Sequence, residues 1–199
     1  MTLLIATKNP GKVQELRSIL APIAIQTPAD VGLDLEIEES GHSFRENAAL
    51  KAMAYAEATD LIVLADDSGL LVDALHGDPG VSSARYGGEG LDDRGRFELL
   101  LYNLRQVTEL THRTARFVCS MVARSPSGKE CESTGVCEGL VALKPCGSGG
   151  FGYDPVFYLP AYQKTMAEIP FTEKNRISHR AQAAREIARL LPQRFPELS

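Results

Sequence analysis

At 199 residues, with 44% apolar and 24% charged side chains, the chain has the size and composition of one well-buried globular domain. A formal net charge of -5 argues against a surface built to grip a nucleic-acid backbone, so no nucleic-acid partner is expected. No apolar run approaches the roughly 18 residues of a membrane-spanning helix, and the opening MTLLIATKNP lacks the basic flank of a secretory signal. No membrane partner and a cytoplasmic location are the expectation.

Thr2 to Ala6 reads as a first strand. Thr7-Lys8-Asn9-Pro10-Gly11-Lys12 follows, and then Val13, Leu16, Ile19 and Leu20 recur at helical spacing. Asn9 suits an N-cap and Pro10 the first helical position. The loop therefore sits at a helix N-terminus, where free N–H groups and the dipole favour an anion. Lys8 and Lys12 add charge, while Thr7 and Asn9 add neutral donors. The Walker A spacing is absent, and an ordinary capped helix with solvated lysines reads equally well. Ala24 to Thr27 is a candidate second strand, and Leu35 to Ile37 an extended stretch leading into the acid pair Glu38-Glu39. Ser43 and Glu46 match a capping box whose helix runs to about Ala58, with Asn47 and Lys51 on one face. A solvated turn is the ordinary explanation for Glu38 and Glu39. Their place before a capped helix, with a second acid pair downstream, makes a metal role worth carrying.

That second pair is the centre of the chain. Leu61 to Leu64 has the branched, apolar character of a buried strand, ending on Asp66-Asp67 and the turn pair Ser68-Gly69. Two carboxylates losing hydration side by side repel, a cost that a bound cation or an exposed cleft resolves. A plain polar turn is the alternative. Asp73 adds a third acid, Gly77 to Gly80 forces a reversal, and Ser82, Ser83 and Arg85 suit phosphate. Asp92 to Leu104 reads as a helix with Phe97, Leu100, Leu101 and Leu104 inward. Asp92 and Asp93 occupy its first turn and carry no assigned chemistry. Thr114 to Arg124 alternates, and Glu130 to Leu143 returns across a Ser125-to-Gly128 turn, predicting a long antiparallel hairpin. From Pro145 to Pro155 a glycine-rich loop brackets Phe151 and Tyr153. Such a loop can bring backbone close to a ligand under a stacking ring, although it is more often only a loop. Lys174, His179 and Arg180 form a late cationic cluster around a final helix, capped by Ser178 and stopped at Pro192. Cys119, Cys131, Cys137 and Cys146 show neither Cys-x-x-Cys nor a zinc-type spacing with His, and read as free thiols.

Acid pairs, a capped phosphate-type loop, an aromatic glycine-rich loop and a cationic cluster together suit a magnesium-bound nucleotide, because magnesium takes oxygen ligands from one or two carboxylates plus substrate phosphates. The chain resembles the Ham1/inosine triphosphate pyrophosphatase family through motifs spread over nearly its whole length. They are Thr7-x-Asn9-x-x-Lys12, Glu39-x-Gly41 with Phe44-x-Glu46-Asn47, Ala65-Asp66-Asp67-Ser68-Gly69-Leu70, Phe151-Gly152-Tyr153-Asp154-Pro155, and Ile177-Ser178-His179-Arg180.

The resemblance implies a mixed α/β fold: an elongated central mixed sheet with a long antiparallel hairpin and helices around it. Residues 1–199 would form a single domain of two lobes with a nucleotide cleft, and usually a homodimer. It implies cleavage of non-standard purine nucleoside triphosphates (inosine, deoxyinosine, xanthosine) to the monophosphate and pyrophosphate, cleansing the nucleotide pool. By motif position, Asp67 would activate water, and Glu39 and Asp67, with Glu38 and Asp66 nearby, would hold Mg2+. Thr7, Lys8, Asn9, Pro10, Gly11, Lys12, Ser68 and Lys174 would hold phosphates. Phe151, Gly152, Tyr153, Asp154, His179 and Arg180 would receive the base. Two rival readings are a Maf-type pyrophosphatase for modified pyrimidine nucleotides and a nucleotide-sensing module without turnover.

Overall fold

The computed structural model describes residues 2–196. Its strands are β1 (Thr2–Ile5), β2 (Ala24–Gln26), β3 (Ile62–Val72), β4 (Thr114–Arg124), β5 (Glu130–Val141), β6 (Phe157–Leu159) and β7 (Lys164–Thr165). Its α-helices are α1 (Pro10–Ile19), α2 (Phe44–Glu57), α3 (Asp93–Asn103), α4 (Phe171–Ile177) and α5 (His179–Arg194). The strands form one mixed sheet in the order β2-β1-β3-β4-β5-β6-β7. β1 pairs parallel with both β2 and β3, while β5–β6 and β6–β7 are antiparallel. Among the described residues no helix is long and apolar enough to cross a membrane.

Two compact units emerge. One gathers the chain up to Asp67, Cys119–Gly135 and the segment from His179 onward; the other holds Ser68–Val118 and Val136–Ser178. In the first unit, the period-2 alternation of strands sorts side chains onto two faces. Leu3, Ile5, Ile62, Leu64, Cys119 and Met121 join the apolar faces of α1 and α5. Their neighbours Leu4, Ala6, Val63, Ala65 and Val122 join α2 through Ala48, Ala52 and Tyr55. The small alanines of α2 let that helix lie close to the sheet. In the second unit α3 buries Phe97, Leu100 and Leu104 in a cluster that includes Phe117 and Phe157, with ring centroids 4.4 Å apart. Arg113 is buried there, giving hydrogen bonds to the carbonyls of Leu104, Val107, Val141 and Ala142.

Two expectations from the sequence need correcting. β3 does not end at Leu64 in a polar turn; it runs on through Asp66-Asp67-Ser68-Gly69 to Val72. Turn-forming residues stay extended there because Leu70 and Val72 are fully buried beyond them and carry the strand into the second unit's core. Nor does Pro192 stop the last helix, which continues to Arg194. A proline forfeits one backbone bond, but Leu191 and Phe195 are both fully buried in the α1/α5 cluster, and the Phe195 N–H reaches the Leu191 carbonyl at 2.7 Å. Burial of one aromatic is worth roughly 1.5–3 kcal/mol and offsets much of that loss.

Candidate active site

The register of β3 decides the site. Ile5 of β1 pairs with Leu64, after which β1 stops and the chain turns into the Thr7–Lys12 loop. Asp66 and Asp67 follow just past the carboxyl end of that parallel pair, the place where open α/β sheets bind ligands. Being adjacent on a strand, they face opposite ways. Asp67 continues the Val63–Ala65 face toward α2, and Asp66 continues the Ile62–Leu64 face toward α1 and α5. The acid pair is thus two separate acids with separate partners.

On the α2 face, Asp67 meets Glu39. From Val31 to Ile37 every second residue (Val31, Leu33, Leu35, Ile37) is turned onto the apolar cluster. Glu39 continues that inward series, whereas Glu38 is exposed. Lys51 of α2 links the two acids, its Nζ lying 2.8 Å from Glu39 Oε1 and 3.6 Å from Asp67 Oδ1. One helical turn earlier Asn47, fully buried, donates from Nδ2 to Asp67 Oδ2 at 3.2 Å and accepts the Gly41 N–H at 2.8 Å. Ser43 caps α2 by accepting the Glu46 N–H at 3.2 Å, and Glu46 returns to the His42 N–H at 2.6 Å, one residue before the position of the standard box. Burial pushes the Asp67 carboxyl above its ordinary value; Lys51 pulls it back, and the negative charge of Glu39 adds to the rise. Burial alone would lower the Lys51 ammonium, but Asp67, Asp66 and Glu39 outweigh it and hold Lys51 protonated. Two like-charged carboxylates sharing one ammonium form a site that welcomes further positive charge.

On the opposite face Asp66 is held differently. Lys12 Nζ lies 2.8 Å from its Oδ2, Arg180 Nε lies 3.4 Å away, and Arg180 Nη1 reaches Glu15 Oε2 at 2.7 Å. Burial would raise the Asp66 carboxyl, but Lys12 and Arg180, then Lys51, hold it well below the usual carboxylate range. Arg180 and His179 open α5 and are both buried. The helix start lies so close to β5 that a side chain at Gly135 would meet the His179 carbonyl at 2.1 Å. Asn9 caps α1, accepting the N–H groups of Gly11 at 2.9 Å and Lys12 at 3.2 Å, with Pro10 in the first turn. Thr7 accepts the Asn9 N–H at 3.2 Å, and exposed Lys8 pairs with Asp34. A cleft of about 730 Å³ opens beside Thr7, Lys8, Pro10 and Arg17, but Glu39, Asp66 and Asp67 do not line it, so it lies apart from the carboxylates.

The glycine-rich loop belongs to the second unit, as do Ser68 and Lys174. Buried Asp154 accepts the Phe151 N–H at 2.9 Å and pairs with buried Lys174, whose ammonium lies 4.6 Å from the Phe151 ring centroid. Gly150 makes this possible: its φ is +72°, and a side chain there would meet the Asp154 carboxylate at 1.9 Å. The Gly152 N–H donates to Asp93 Oδ2 at 2.7 Å, a contact between residues 59 positions apart that no local spacing signals. Tyr153 is buried in the core, its hydroxyl donating to the Ser83 carbonyl at 2.9 Å. Ser68 sits half-buried on β3. Ser83, read from sequence as a phosphate ligand, instead accepts the Leu70 N–H at 2.9 Å and donates to the Gly80 carbonyl at 2.6 Å. Ser82 and Arg85 are exposed. The four cysteines are free.

The structure thus brings Glu39 and Asp67 together, gives Asp66 to Lys12 and Arg180, and leaves Glu38 outside. Lys51, Asn47 and Glu15 were absent from the sequence-derived site. The shared face of Asn47 and Lys51 was the available signal; Glu15 gave none, since its partner Arg180 is 165 residues away.

A model of the Ham1 family matches residues 3–190. A dITP/XTP pyrophosphatase of Bacillus subtilis (strain 168) is 47% identical over 190 residues, covering 94% of this chain and 96% of the relative. One from Listeria monocytogenes serovar 1/2a is 51% identical over 187 residues, covering 93% and 92%. The solved structure of a HAM1 protein from Coxiella burnetii superposes with a TM-score of 0.87 at 37% identity, covering 97% of this chain and 99% of that one.

Proposed function

The chain belongs to the Ham1 family, and we propose from that membership that it hydrolyses non-standard purine nucleoside triphosphates, those of inosine, deoxyinosine and xanthosine, to the monophosphate and pyrophosphate. The observation that carries the reading is the buried cluster on the α2 face, with Asp67 and Glu39 sharing Lys51.

The donors there suit a divalent cation. They are hard carboxylate oxygens, two of them are turned onto one ammonium, and the charge of Glu39 already raises Asp67. Among the described residues no group of three or more His, Cys, Asp or Glu side chains gathers as a metal cage. Two carboxylates plus substrate phosphates is the arrangement that magnesium favours. Glu39 and Asp67 are the residues that would hold it; Asp66, committed to Lys12 and Arg180, serves instead to fix Lys12. When bound, magnesium would neutralise charge on the phosphates and lower the pKa of a coordinated water.

The chain's own groups supply the rest. The raised Asp67 carboxyl supports assigning it the proton of the attacking water. Lys51 and Lys12 bring positive charge to where the leaving pyrophosphate accumulates negative charge, the main source of stabilisation in phosphoryl chemistry. Asn9 caps the start of α1, and from that first turn Lys12 reaches Asp66. From the resemblance, Phe151 and Asp154 are proposed to receive the base and Lys174 to hold phosphate, and a homodimer is proposed on the same ground.

Steady-state turnover of inosine, xanthosine, adenosine and cytidine triphosphates with magnesium tests the reading. Inosine and xanthosine nucleotides should be preferred over adenosine triphosphate by orders of magnitude, since a site built for a purine carbonyl leaves buried donors unpaired against an amino group. Equal turnover of adenosine triphosphate, or a preference for the pyrimidine, would overturn it.

A further inference from the structure

Asn47 is fully buried and touches both segments that bear the acids of the α2 face. Its carbonyl oxygen accepts the Gly41 N–H at 2.8 Å, two residues beyond Glu39, and its amide nitrogen donates to Asp67 Oδ2 at 3.2 Å. The orientation of the amide is not arbitrary. A backbone N–H can only donate, so Gly41 requires the Asn47 oxygen on its side and turns the NH2 group toward Asp67. Gly41 is shaped for this contact, because a side chain there would meet Asn47 Oδ1 and Glu46 Cβ, each at 2.7 Å. Lys51, one turn along α2, meets Glu39 and the other oxygen of Asp67, Oδ1.

We propose that Asn47 is a positioning residue for the reaction: it sets the register between the Glu39 segment and Asp67, and it occupies Asp67 Oδ2 so that Oδ1 is the oxygen presented beside Glu39. The inference rests on the proposed function and adds a residue to it. Lys51 is a mobile charge on a flexible stem, whereas Asn47 is neutral, short and held at both ends. A neutral donor at Oδ2 keeps the carboxylate oriented without competing with a cation for its charge. Groups that orient metal-ligating carboxylates are typically worth about 10–100-fold in metal affinity or activity.

Asn47→Asp separates this role from a merely structural one. It keeps the size and the acceptor for Gly41 but replaces the donor to Asp67 with a like charge. Asn47→Ala removes both contacts. With inosine triphosphate as substrate, Asn47→Asp should lose about 10–100-fold or more in kcat with KM changed less than about threefold. A crystal structure of Asn47→Asp, grown without metal or nucleotide, should show the Asp67 carboxylate turned away from its present partners. Unchanged kcat in Asn47→Asp, or an Asp67 side chain that has not moved, would overturn the proposal. A parent protein that releases no pyrophosphate from any purine triphosphate would instead overturn the functional reading, and the crystal structure would still decide the positioning role.

Discussion

The ammonium of Lys12 lies 2.8 Å from Oδ2 of Asp66, a carboxylate with no exposed surface. Lys12 is therefore not a free surface charge at a helix start but one end of a buried chain of charges, Lys12–Asp66–Arg180–Glu15. That chain aims the lysine, and two of its members make different predictions.

Lys12→Ala should weaken binding of inosine triphosphate far more than binding of inosine, because the partner proposed for it is phosphate. A charge-assisted contact of this kind is worth about 1.5–3 kcal/mol. Calorimetric titrations with the two ligands check it, and equal losses for both would make the lysine purely structural.

Further along the chain, Arg180→Met should destabilise the fold by about 3–5 kcal/mol, the usual effect of removing one partner from a buried ion pair and leaving Asp66 and Glu15 undercompensated. Urea unfolding measures this. A loss below about 1 kcal/mol would show that Arg180 is available to ligand rather than committed to the interior.

Asn9 and Ser43 were recognisable as caps, and the β4–β5 hairpin as alternating strands around a turn, because those signals are local. Asp66-Asp67-Ser68-Gly69 reads as a turn for equally local reasons, and only the buried leucine and valine beyond it keep the strand extended. Once it is extended, the two aspartates must face opposite ways, so a sequence pair becomes two sites. Glu38 and Glu39 part for the same reason, one exposed and one turned inward. Arg180 stands in a motif that suggests ligand contact, but its burial depends on Glu15, which no sequence spacing connects to it.

Asp67→Asn should lose about 10²–10⁴-fold in turnover, the usual contribution of a general base, which is the role proposed for it, without loss of stability. The sign follows from the raised carboxyl. Its folded pKa lies above the unfolded value of about 3.9, so the ionised group disfavours folding at neutral pH, and that penalty disappears only as pH falls below the unfolded pKa. Asparagine removes the penalty. In metal-free buffer at pH 7 the variant should melt no lower than the parent, and a clearly lower melting temperature would contradict the electrostatic account of this acid.

Stability should also fall in alkali. Burial pushes the Cys119 thiol up to about 12 and the Cys131 and Cys137 thiols up to about 11. Unfolded thiols ionise near about 8.5, so above that pH the unfolded chain holds fewer protons and gains, by at most about 1.4 kcal/mol per pH unit for each thiol. Urea unfolding at pH 8, 9 and 10 should show a shallower decline for Cys119→Ala than for the parent. Parallel declines would mean that the thiol ionises as readily in the folded protein.

The most direct test of the central claim is the identity of the products. Inosine triphosphate incubated with the protein and magnesium, followed by phosphorus NMR, should give inosine monophosphate and pyrophosphate in equal amounts, with no orthophosphate and no diphosphate intermediate. Asp67→Asn should leave the triphosphate essentially intact over the same interval. Release of orthophosphate with inosine diphosphate, or full pyrophosphate release by the Asn variant, would contradict the account.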